Sequence, residues 1–167
     1  VAKQIAKKKG VEAQRLDEYF AAGLLHDIGK IPLNNALSED YIRAMSLADR
    51  ERIAIHLAEK RDIDIDHAEA GGMIAEAWHL DGPIADAIRY HHDVALYEGK
   101  NADIVMAVAV ADYYASREGI GFSGCLYPEK IAPEIYTRLG VPKSWLEEID
   151  AAVAAEIEKA SIFLRVK

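Results

Sequence analysis

Runs of strand length that alternate apolar and polar residues are missing from this sequence, while 3.6-residue periodicity recurs throughout. The absence argues against a sheet. Long apolar runs are missing too: the most apolar stretch, Ile104 to Ala111, is far too short to span a bilayer, so no membrane partner is expected. Cysteine is nearly absent. With Cys125 alone there can be no intrachain disulfide framework, which suits a reducing, cytoplasmic setting. Basic clusters are limited to Lys7-Lys8-Lys9, and the net charge of -8 argues against binding duplex nucleic acid or anionic membranes. No internal repeat, low-complexity tract or dividing linker occurs, so residues 1–167 are expected to form a single domain. Lysines interrupt the first apolar residues, so nothing there resembles a signal peptide, and the opening Val1 is read as a truncated N-terminal helix.

What is present is a chain of helices. Val1 to Lys9 reads as the tail of one, closed by Gly10. A second is expected from about Glu12 to Ile28, with Leu16, Phe20, Gly23 and Asp27 on its apolar stripe, and with Gly29 and Ile31-Pro32 ending it. Ser38 opens a third region that runs, broken near Asp49, to about Lys60. Asp64 or Asp66 can cap a fourth, His67 to His79. Pro83 starts a fifth that ends near His92, and a sixth spans about Ala102 to Arg117. Pro128 opens a short helix closed by Gly140; Ser144 caps the last, whose stripe is Trp145, Ile149, Val153, Ile157 and Leu164. The expected fold class is all-α, a single helical bundle.

The informative residues are ionisable groups on apolar faces. Aspartate is a poor helix former, seldom buried unless paired or metal-bound, yet Asp27 falls where the second helix should face inward. His26 flanks the same stripe. Ile84 and Ile88 project His91 and His92 inward, Ile104 and Val108 lead in steps of four to Asp112, and His67 shares a face with Gly71, Ile74 and Trp78. Each taken alone has a plain explanation. A His-Asp pair can be a surface hydrogen bond, His-His a cationic helix end, Asp112 the partner of Arg117 or Arg89, and His67 a cap. Four helices aiming such groups at one core is harder to explain without a shared partner, because burying them unpaired is costly. A metal ion, with imidazole and carboxylate as its ligands, resolves that cost.

Lys30, three residues after Asp27, can reach the same cluster as a point charge for phosphate, or remain a solvated helix-end lysine. His56 lies in a charged run with Glu51, Arg52 and Glu59 and is expected at the surface or at most at a pocket mouth; His79 is expected in solvent. Both stay outside the ligand set.

Taken together, HDIGK at 26–30, HAEAG at 67–71, YHHD at 90–93 and VAD at 110–112 resemble the HD superfamily of metal-dependent phosphohydrolases. The phrasing around them, with the IGFSG loop and the closing IEKASIFL, is similar to its HDOD branch, the HD-related output domain of bacterial signalling proteins. The resemblance implies a divalent transition metal centre, binuclear and holding iron, manganese or similar. His26, Asp27, His67, His91, His92 and Asp112 would be its ligands: Asp27 as bridge, His67, His91 and His92 on one ion, and His26 and Asp112 on the other. Asp27 and Lys30 would be the catalytic residues. The implied reaction is hydrolysis of a nucleotide or other phosphoester by water whose pKa a metal lowers. The alternative is a non-catalytic signalling output or binding module with a retained metal site, working with other signalling domains. Two departures qualify the match. The family's further histidine, from the helix before the HD pair, would fall upstream of Val1. After His91-His92 the chain reads Asp93-Val94-Ala95-Leu96-Tyr97-Glu98-Gly99 rather than GYP, which argues against the cyclic-di-GMP phosphodiesterase subtype.

Overall fold

The computed structural model describes residues 1–120, 124–148, 153 and 155. In chain order the helices are α1 (Ala2–Lys9), α2 (Leu16–Leu25), α3 (Lys30–Ala36), α4 (Ser38–Glu51), α5 (Ile55–Ile63), α6 (His67–Ala77), α7 (Pro83–Tyr90), α8 (Ala102–Arg117), α9 (Pro133–Leu139) and α10 (Lys143–Glu148). Among the described residues there is no strand, and no helix is long and apolar enough to cross a membrane. The all-α expectation holds.

Helix α8 is the axis of the core. Every residue from Ile104 to Val110 is buried, so this segment is apolar on all sides, as a helix surrounded by others must be. Ile5 and Ala6 of α1, Tyr19 and Ala22 of α2 and Ala87 of α7 pack into the same cluster. Fully burying an isoleucine or methionine such as Ile104 or Met106 contributes about 1.5–3 kcal/mol. That core fixes three helices around α8, and their ends carry the polar residues of interest.

Two local devices set the register at those ends. Asp66 accepts a hydrogen bond from the Glu69 backbone N–H (2.8 Å), and the Glu69 carboxylate accepts one from the Asp66 N–H (3.2 Å). This capping box makes His67 the first residue of α6. The α2–α3 turn, residues 26–29, then lies directly on α6. A Cβ on Gly29 would overlap the His67 carbonyl oxygen and lie 2.5 Å from the Gly71 nitrogen. A Cβ on Gly71 would come within 2.6 Å of Ile88 Cγ2. Backbone-to-backbone packing of this kind requires glycine, and it brings the His26-Asp27 pair against the start of α6. On the other side Arg89 donates to the Gly72 carbonyl (3.0 Å), tying the end of α7 to α6.

Several expectations need correction. Helix α2 ends at Leu25, and the buried face is Tyr19 and Ala22; Phe20 is exposed, because the apolar stripe runs one position away from the one expected. Pro32 does not stop a helix but sits in the first turn of α3, where its missing N–H costs nothing. Ser38 does begin α4, with Glu39 and Asp40 in its first turn as expected; the residue before it is Leu37, and no side chain caps the helix. Residues 52–54 separate α4 from α5. Helix α6 stops at Ala77, so Trp78 lies beyond it and is exposed. The short helix begins at Pro133 rather than Pro128, and Ser144 lies inside α10. Ile149, Ile157, Leu164, the centre of the IGFSG loop and IEKASIFL lie outside the described residues.

Candidate metal centre

Asp27 stands in the middle of four helix ends. Its Oδ1 lies 3.2 Å from His67 Nε2 and 3.9 Å from His91 Nε2; its Oδ2 lies 3.5 Å from His26 Nε2 and 2.7 Å from Lys30 Nζ. His26 Nε2 is also 3.5 Å from Asp112 Oδ1, and His92 Nε2 is 2.9 Å from His67 Nε2. All the sequence-singled residues therefore meet, from the α2–α3 turn, α6, the end of α7 and α8. The arginines offered as partners for Asp112 are engaged elsewhere: Arg89 with Gly72 and Glu76, and Arg117 with Glu118. Among the described residues, two sets of donor atoms each lie within 4.8 Å of one another, His67/His91/His92 and His26/Asp27/His91, so His91 is within reach of both sides of Asp27.

The ring orientations test whether this cluster suits a metal. His26 Nδ1 is 2.9 Å from the Gly23 carbonyl, and His91 Nδ1 is 3.0 Å from the Ile88 carbonyl. A carbonyl can only accept, so in both rings Nδ1 carries a hydrogen, and in the neutral form of each ring Nε2 presents the lone pair. Both Nε2 atoms are buried without a hydrogen-bond partner. An unsatisfied buried nitrogen is costly, and two of them beside a carboxylate fit a cation.

Charge states agree. Burial opposes ionisation of Asp27, but the hydrogen bond from His67 and the charges of His26 and Lys30 hold its carboxyl well below the usual range. Burial is likewise outweighed at Asp112, where His26 lowers the pKa. Burial lowers His91 to about 3, helped by His26 and His67, and lowers His92 strongly, so both are neutral imidazoles. Ionised carboxylates and neutral imidazoles are the metal-binding forms. His67 differs. Burial disfavours its charge, yet Asp27 and Glu59 together raise it to about 9.

Glu59 was missed from the sequence. Fully buried, it accepts from the His67 backbone N–H (2.8 Å) and from His67 Nδ1 (2.6 Å), which turns His67 Nε2 toward Asp27. A carboxylate behind a ligating histidine orients the ring and raises its basicity. The signal was available: Glu59 falls four residues after Ile55 and four before Ile63, an acid on an apolar face like Asp112. His56 is the second correction. Expected at the surface, it is 8% exposed and stacks on His92, centroids 3.9 Å apart at 14°, with Nε2 3.2 Å from the Glu129 carboxylate. It lies in the first turn of α5 and faces inward, as Glu59 does one turn on, whereas Glu51, Arg52, Lys60 and Arg61 face solvent. His79 is exposed as expected.

A helical domain with His and Asp side chains gathered at its centre is what the HD superfamily presents. A family model for the HDOD domain matches residues 1–94, and the chain belongs to that family. An HDOD domain protein of unknown function from Geobacter sulfurreducens superposes with a TM-score of 0.77 at 30% identity, covering 100% of this chain and 59% of that one. A protein from Shewanella amazonensis SB2B, provisionally described as a phosphohydrolase, gives a TM-score of 0.57 at 20% identity over 90% of this chain and 55% of its own, a likeness of fold. An uncharacterized protein of Treponema pallidum (strain Nichols) is 30% identical over 108 residues, which is 65% of this chain but 21% of the relative's length.

Proposed function

We propose that this domain is a metal-dependent phosphohydrolase acting on a phosphorylated small molecule or nucleotide, with a binuclear centre of iron, manganese or a similar divalent transition metal. The observation that carries the reading is the pair of buried, unpartnered Nε2 atoms of His26 and His91 beside Asp27. Asp27 would bridge, with His67, His91 and His92 on one side and His26 and Asp112 on the other. Ions held there would supply Lewis acidity, which lowers the pKa of water and offsets charge on phosphoryl oxygens. Lys30 Nζ, 2.7 Å from Asp27 Oδ2, supplies a further point charge for a phosphoryl oxygen. Glu59 keeps His67 oriented, and the carbonyls of Gly23 and Ile88 do the same for His26 and His91. Hydrolysis forms a bond from water oxygen to phosphorus and breaks the ester P–O bond; the departing alcohol takes up a proton.

A second reading, a signalling output module that binds without turnover, is favoured by the HDOD family itself and by the small share of the Treponema relative that the chain covers. Metal analysis of the purified protein, joined to a phosphoester panel with added manganese or iron, separates the two. The expected result is bound transition metal together with turnover that a chelator abolishes and manganese restores. Bound metal without turnover supports the output module, and protein that binds no metal and hydrolyses nothing overturns both.

A further inference from the structure

The Asp112 side of the centre opens into a cleft of about 420 Å³, with His26, Asp27 and Asp112 along one wall. That volume is in the range of small-molecule pockets. The remaining wall is largely apolar, formed in part by Phe20, Leu24, Val108, Ala111, Ala115 and Leu126. Three of these, Phe20 (57% exposed), Leu24 (68%) and Leu126 (58%), are large apolar side chains facing solvent at one place. Single exposed leucines need no explanation, but a group of them around a concavity marks a binding surface. Cations are scarce. Among the described residues lining the cleft, Lys3 is the one lysine or arginine, and its ammonium is held 2.7 Å from Asp17.

Chains of phosphates need several charged donors beyond the atom being attacked, usually arginine or lysine. Among its described residues this cleft offers no uncommitted arginine or lysine, on a chain of net charge -8. We infer that the cleft seats the uncharged, apolar organic group of a phosphomonoester whose phosphoryl group lies at the His26/Asp27/Asp112 side, and that the site selects such esters over polyphosphates. The inference rests on the proposed reading of the centre as a phosphate-binding one and names its substrate class.

The test compares 2-(1-naphthyl)ethyl phosphate with ethyl phosphate, two primary alkyl esters of similar leaving-group acidity, and with a nucleoside triphosphate, on the manganese-loaded protein. Expected is a kcat/KM at least about tenfold higher for the naphthyl ester than for ethyl phosphate, and the lowest value for the triphosphate, since an apolar pocket discriminates by about 10–200-fold per group. Ala115→Phe, which fills the cleft, should lower the naphthyl-to-ethyl ratio about tenfold. Phe20→Ala removes an exposed side chain and so carries little risk to folding; it should lower the ratio severalfold. The same pair as phosphonates, titrated by calorimetry, reads binding without turnover. Failure to hydrolyse any ester while the naphthyl phosphonate still binds preferentially would sink the catalytic reading and uphold the cleft. A naphthyl-to-ethyl ratio near one in both assays, a ratio moved by neither variant, or a preferred triphosphate would overturn the cleft proposal.

Discussion

The two sides of Asp27 are built differently. On the Oδ1 side the side chains of His67 and His91 are 0% exposed, with a buried Glu59 behind His67 and the ring of His56 against His92. On the Oδ2 side, His26 keeps 15% of its side chain exposed and Asp112 19%, and both border the apolar cleft. Every ring on the first side is backed by another protein group. The second side has fewer protein ligands and an open wall. Enclosure favours tight, slowly exchanging binding, and openness leaves room for a substrate. The expectation is one firmly held ion and one that exchanges readily.

Asp27→Ala should break the comparison altogether, since one carboxylate serves both sides. Bound metal should fall below about a tenth of the wild-type content, and any phosphoester turnover should drop about a thousandfold or more, in the range seen when an essential catalytic group is removed. Asp112→Ala should instead act on the open side alone. It should remove about one of two bound ions per chain while the retained ion stays resistant to chelator. Elemental analysis of the two variants, before and after dialysis against chelator, checks both. Equal losses in the two variants would show that the sides are not independent.

A proton competes with metal on the enclosed side. His67 is raised to about 9 in the metal-free protein by Asp27 and Glu59 against the opposing effect of burial, so at neutral pH its ring is protonated. Metal binding must displace that proton. The sign follows: affinity at the enclosed site weakens as pH falls below about 9, by about tenfold per unit, and levels off above it. Asp27, Asp112 and Glu59 stay ionised throughout this window because their pKa values are lowered, and His91 and His92 stay neutral. Glu59→Gln removes one of the two carboxylates holding the proton. It should flatten the dependence between pH 7 and 9 and weaken affinity by about 10–100-fold, as the loss of an outer-shell partner does. Competition with a chromophoric chelator at several pH values reads slope and affinity together; an unchanged slope in the variant would assign the proton elsewhere.

Much of this centre was legible in the sequence because its residues violate the helical pattern. Asp112, His91 and His92 sit at positions that periodicity reserves for apolar side chains, and that conflict marked them. Asp27 was marked on a stripe that the structure shifts by one position, and it lies in the turn after α2. The bounds of α8 were readable for the complementary reason, since residues 104–110 follow a strong pattern without conflict. Glu59 obeyed the same rule as Asp112 but was hidden in the charged run with Glu51 and Arg52, which suggested a surface position. The helix ends were harder. Pro32 looked like a stop but suits a first turn equally well, and that is where it sits in α3. His56 could not be found from periodicity in α5 alone, because its partner His92 belongs to another helix.

His56 offers the finest test of how enclosed the first side is. Its ring lies parallel to His92, and Glu129 lies 3.2 Å from its Nε2. Burial lowers its pKa, with the charge of Glu129 opposing, so at neutral pH the contact with His92 is between uncharged rings. A stacked pair is worth about 0.5–1.5 kcal/mol, so His56→Ala should weaken metal binding on the enclosed side by about two- to tenfold and leave the open side unmoved. His56→Phe keeps a flat ring against His92 while losing the contact to Glu129, and should restore most of the affinity. If it does not, while Glu129→Gln reproduces the alanine defect, then the link to the 124–132 loop rather than the stack is what holds His92. The enclosed side would then depend on a surface loop, and the two sides of Asp27 would differ less than their burial implies.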